Sequence, residues 1–139
     1  MTTETVELIV FVTLLVHGIG HFQGVIASLG VKINSSGSRG SWLLKALSEK
    51  SNQIISMILF SVTGILGILA GLSFMGILLP DSNWQILALF TAITSTICLI
   101  LFPNGFAIFF NKVGAICVNL IIFYSILFNG NWPSVIFND

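Results

Sequence analysis

The segment Val16-His-Gly-Ile-Gly-His-Phe-Gln-Gly24 sets two imidazoles four residues apart inside a stretch, Leu8 to Val31, that contains no Asp, Glu, Lys or Arg. Four residues is about one helical turn, so His17 and His21 project from the same side of a helix, with Thr13, Gly20, Gly24 and Ser28 within about 60° of His17. Three kinds of chemistry suit such a pair. Neutral imidazoles can hydrogen-bond to one another, to backbone, or to Thr and Asn side chains of facing helices, each bond contributing about 0.6 to 2 kcal/mol in a membrane. An i, i+4 pair can converge on a transition metal, for which Cys98, Cys117 or Asn119 would have to complete the shell. A single imidazole can ligate haem iron or hold a quinone carbonyl, whereas two from one side of one helix cannot both bind the same haem.

The elements that position these residues follow from where charge is absent. Five Lys or Arg and five Asp or Glu all lie outside four stretches, Leu8 to Val31, Ser51 to Pro80, Ser82 to Asn111 and Val113 to Asn138. A bilayer core about 30 Å thick needs roughly 20 apolar residues in a helix, and a charge at mid-depth costs several kcal/mol. With 55% hydrophobic residues, 7% charged residues and a mean hydropathy of +1.04, the chain reads as an all-α integral membrane protein. The expected fold is an antiparallel four-helix bundle with spans at about 6–29, 53–79, 84–102 and 106–128. The acidic N-terminus is unlike a cleaved secretory signal, so the first span is expected to stay in the protein.

Lys32, Arg39, Lys45 and Lys50 fall between spans one and two, and Lys112 between spans three and four. The positive-inside rule puts both segments in the cytosol and both termini outside. Glu4, Glu7, Asp81 and Asp139 lie in segments free of Lys and Arg, which agrees. Trp84 and Trp132 are expected as aromatic anchors at the outer interface and Trp42 at the inner one. The Ser- and Gly-rich run from Lys32 to Gly40 reads as a flexible inner loop. Residues 41–50 read either as a helix lying in the inner interface or as protruding first turns of span two. Asn129 to Pro133 is expected to stop the last span.

Small residues mark the packing faces. Gly64, Gly67 and Gly71 share one side of span two, and Gly20 and Gly24 lie beside the histidines, where close helix approach is expected. Thr63, Thr91, Thr94, Asn119 and His17 lie near the midplane, so they form a candidate polar cluster: a hydrogen-bonded clasp in one form, a small ligand site in the other. No acidic partner marks a nucleophile, no charged relay lines a conduction path, and basic nucleic-acid patches and phosphate loops are absent. Cys98 and Cys117 lie in apolar stretches and suit packing, not a disulfide framework.

The His-Gly-x-x-His-x-x-Gly pattern from His17 to Gly24 in the first of four spans, Pro103 after the third, and Gly114 with Asn119-Leu120 in the fourth resemble small prokaryotic four-span proteins labelled permease-like or related to DoxX. That resemblance brings no established activity, and loops this short with spans this apolar fit a prokaryotic inner membrane. Taken together, the sequence points to a non-enzymatic accessory, assembly or interaction subunit, a homo-oligomer or part of a larger membrane complex, with no resident cofactor. The alternative is a ligand-binding protein that holds haem, a quinone or a transition metal with His17 and His21.

Overall fold

The computed structural model describes residues 2–31, 41–106 and 108–128, and among these there are four α-helices and no strand. They are α1 (Thr3–Ser28), α2 (Glu49–Phe74), α3 (Trp84–Leu101) and α4 (Phe109–Leu127), with a 3-10 turn at Asp81–Asn83 before α3. All four are long and apolar enough to cross a membrane. Lys32, Arg39, the Ser-Gly loop, Asn129 to Pro133 with Trp132, and Asp139 lie outside the described residues.

Local chemistry moves several boundaries. Thr2 caps α1, its hydroxyl accepting from the Thr5 N–H at 3.4 Å. At the other end Gly30 takes φ +90° and the Val31 N–H reaches back to the Ile26 carbonyl at 3.3 Å. The same glycine-based stop ends α2 at Phe74 instead of Leu79: Gly76 has φ +63° and the Ile77 N–H bonds the Leu72 carbonyl at 3.0 Å. The apolar run continues to Leu79, and so hydropathy alone overshoots. The fourth helix begins at Phe109, not Phe106, because Pro103-Asn-Gly105 turns the chain and sends Phe106 into the interior.

Residues 41–48 form turns and bends, not an interfacial helix. Their hydrogen bonds go elsewhere. Ser41 Oγ accepts from the Leu43 and Leu44 amides, the Trp42 indole donates to the Ile100 carbonyl at 2.6 Å, and Asn52 Nδ2 donates to the Leu44 carbonyl at 3.1 Å. Ser48 then caps α2 through the Ser51 N–H at 3.1 Å. Trp42 thus closes an orphan carbonyl in the last turn of α3. Trp84 also departs from expectation: it is buried, edge-on to Phe74 at 5.2 Å, and belongs to the core.

The closest helix pair is α1 with α2. Ser28 and Ser56 hydroxyls meet at 2.7 Å at one end, Gly18 abuts Gly64 and Gly67 in the middle, and Gly71 lies against Leu15 beyond, so the two helices run antiparallel. A Cβ on Gly18 would sit 2.7 Å from the Ile68 nitrogen and 2.8 Å from the Gly64 oxygen, so the backbones are in contact. Helix α3 packs next on α2, with Thr63 and Cys98 at 3.6 Å, and α4 on α3. Two apolar clusters follow, one around Leu14, Ala70, Trp84 and Ile122, the other around Phe60, Cys98, Phe102, Phe106 and Ala115. Helices α1 and α4 meet only sparsely, so the four helices form an arc, open along its α1–α4 seam.

Candidate functional site

That open seam carries the histidines. A cleft of about 760 Å³ lies between α1 and α4, lined by Thr13, His17, Gly20, His21 and Gln23 from α1, by Asn111, Gly114 and Val118 from α4, and by Phe106 from the turn before it. Its size falls within the range of small-molecule sites. Among the described residues no Asp, Glu, Lys or Arg lines it.

His21 is 1% exposed, and among the described residues neither of its ring nitrogens has a hydrogen-bond partner. The same holds for His17 Nε2, Gln23 Oε1 and Asn119 Oδ1. A buried polar group without a partner costs about 1 to 3 kcal/mol, and several together at one cleft are exceptional in a folded interior. Aromatic rings enclose the pair. His17 and His21 lie 5.0 Å apart between centroids with planes at 86°, Phe106 stands edge-on to His21 at 5.3 Å, and Phe60 tilts against it at 5.9 Å. Phe60 is held from behind by glycines, since a Cβ on Gly105 would come within 2.5 Å of its ring and one on Gly24 would overlap it.

The expected polar cluster separates into parts. Asn119 lies beside His17 and donates from Nδ2 to Ser95 Oγ at 2.9 Å and Thr96 Oγ1 at 3.2 Å, tying α4 to α3. Thr91 and Thr94 are spent locally, donating to the Leu87 and Phe90 carbonyls at 2.8 Å each. Thr63 likewise bonds the Leu59 carbonyl. Asn119 therefore finds its hydroxyl partners at Ser95 and Thr96, one and two residues beyond Thr94 in α3.

The glycines also divide. Gly64, Gly67, Gly71 and Gly24 sit against other helices or Phe60, and Gly18, not singled out from sequence, makes the tightest approach. Gly20 is different: among the described residues a Cβ there, or on Gly114, would meet no atom within 4 Å, and both residues line the cleft. Gly18 and Gly20 differ by 200° around α1 at 100° per residue, which is why one is pressed into α2 and the other faces open space.

This donor set restricts the chemistry. Among the described residues no group of three or more His, Cys, Asp and Glu is placed to hold a metal, and Cys117 is exposed while Cys98 bonds Thr63. A zinc site needs three or four such ligands. Haem would bring carboxylates to a cleft that no Lys or Arg lines among the described residues. An uncharged molecule bonding through oxygen or nitrogen to the imidazoles and Gln23 meets neither obstacle. No protein-family model, curated protein or solved structure matches this chain.

Proposed function

We propose that this chain is a multi-pass membrane protein that receives a small, uncharged, lipid-soluble ligand in the α1–α4 cleft and holds it through His17 and His21. One observation carries the reading: His21 is buried with both ring nitrogens unpartnered at the wall of a cleft. A hydrogen-bonding ligand that entered past Phe106 and reached these shielded nitrogens would convert the unmade bonds into made ones, each worth about 1 kcal/mol or more in a water-poor site. The quinone class fits this description. Purification in mild detergent followed by solvent extraction, a visible spectrum and metal analysis tests it. The expected result is a neutral organic compound that accompanies the wild type and is lost from His17→Leu and His21→Leu. A Soret band or stoichiometric metal would replace the reading with haem or metal binding, and an empty, colourless protein would remove it.

A second reading has an observation of its own. Gly20 and Gly114 cost the helices about 1 kcal/mol each relative to alanine, and among the described residues an added Cβ at either would meet nothing within 4 Å, so the same seam would admit a helix of another subunit or of a second copy. The protein would then serve as an accessory or assembly component. Cross-linking cysteines placed at Gly20 and Gly114 would pair with another chain under that reading, whereas a ligand site leaves them unlinked between chains.

The proposed orientation places both termini outside a prokaryotic cytoplasmic membrane, with Lys45, Lys50 and Lys112 inside. A periplasm-dependent phosphatase fused at either terminus should be active, and one fused at Ser48 inactive. Activity only at Ser48 would invert the topology.

A further inference from the structure

A second cavity of about 270 Å³ lies between α1, α4 and the start of α3, and Thr13 and Val118 line both it and the histidine cleft. Its remaining wall is almost wholly carbon, from Leu14, Trp84 and Ile122 among others, with Ser125 the other polar residue. Val6, at its far end, lies eleven residues from His17, about 16 Å along the helix axis. The two cavities thus adjoin at Thr13 and Val118, the first carrying the polar groups near mid-span and the second apolar toward the end of the bundle that carries Trp84.

Building on the ligand-binding reading above, we infer that the ligand is an amphiphile with an uncharged hydrogen-bonding head and one long apolar chain, the chain lying along α1 from Thr13 toward Val6 and Trp84. Three observations carry this. Among the described residues the cleft offers hydrogen-bonding groups and no charge, so an ionised head would find no counter-charge in that lining. The apolar cavity adjoins the head site at Thr13 and Val118, so a substituent leaving the head along α1 is directed toward it. Gly20 and Gly114 leave the head room to enter sideways between α1 and α4. Moving a chain from lipid into an apolar pocket gains little, because lipid tails are as apolar as leucine. The chain pocket therefore sets orientation and selectivity, while the head supplies affinity.

Trp84, 8% exposed and lining the chain pocket, reports on it. Two probes differing in head chemistry, a long-chain alcohol and a long-chain benzoquinone, would each be brominated either at the chain end or next to the head, since bromine quenches nearby tryptophan. They would be added to the full-length protein in nanodiscs, with the Trp84→Phe variant subtracted to isolate the Trp84 signal and histidine ring resonances monitored in parallel. The expected result is shifted His17 and His21 resonances with severalfold stronger quenching from the chain-end bromine. Brominated phospholipid should quench weakly, and Leu14→Phe should abolish the chain-end effect while keeping the histidine shifts. Whichever head shifts the histidines identifies the source class. Histidine shifts with equal quenching from both positions, or equal quenching by brominated phospholipid, overturn the chain assignment alone. Absence of histidine shifts with either head overturns the underlying ligand reading.

Discussion

Gly18→Ala is expected to lower the stability of the bundle by about 2 kcal/mol, while the same substitution two residues on, Gly20→Ala, raises it by up to about 1 kcal/mol. At Gly18 the added methyl would meet three backbone atoms of α2 between 2.7 and 2.9 Å, and backbone held in a helix cannot rotate aside. Relief requires moving α1 away from α2, which also strains the Ser28–Ser56 contact at 2.7 Å and the Leu15–Gly71 packing. At Gly20 the methyl meets nothing within 4 Å, so the substitution is left with the helix-propensity gain of alanine over glycine. Unfolding of both variants in one detergent measures the contrast, and shifts of the same sign would show that α1 does not present these glycines to opposite surroundings.

The second large effect concerns His21. In the ligand-free protein, His21→Leu is expected to raise stability by about 1 to 2 kcal/mol, because it removes two buried, unpartnered nitrogens and leaves an apolar side chain among Phe60, Phe106 and the His17 ring. The same variant loses the ligand. A clasp role for the histidines makes the opposite prediction for stability, since a satisfied buried hydrogen bond would be broken. Thermal unfolding of wild type and variant after delipidation separates the two. A loss of stability comparable to that of a cavity mutant would return His21 to a structural role and leave the cleft without its main recognition group.

Much of the architecture is legible before any coordinates. Ten charges confined to the two ends of the sequence and to the segments between long apolar stretches require those stretches to be helices, because a lipid-exposed backbone must satisfy its own hydrogen bonds. The helical period likewise places His17, His21 and Gly24 on one side of α1, and Gly64, Gly67 and Gly71 on one side of α2. Boundaries were less legible where apolar residues continue past a glycine stop, as at Gly76, or where side chains take over the backbone bonds, as Ser41, Trp42 and Asn52 do.

What the sequence determined by itself was the set of four apolar helices and the direction of each side chain about its own axis, both local consequences of hydrophobicity and a 100° turn per residue. Only the tertiary structure decided what stands in each of those directions: α2 before Gly18, an open seam before Gly20, and Ser95 and Thr96, in place of Thr91 and Thr94, before Asn119. The reason is physical. In a membrane every helix is apolar on most sides, so hydropathy does not say which face meets protein and which meets lipid. That choice is made by how closely two backbones can approach, a property of the pair and not of either helix alone.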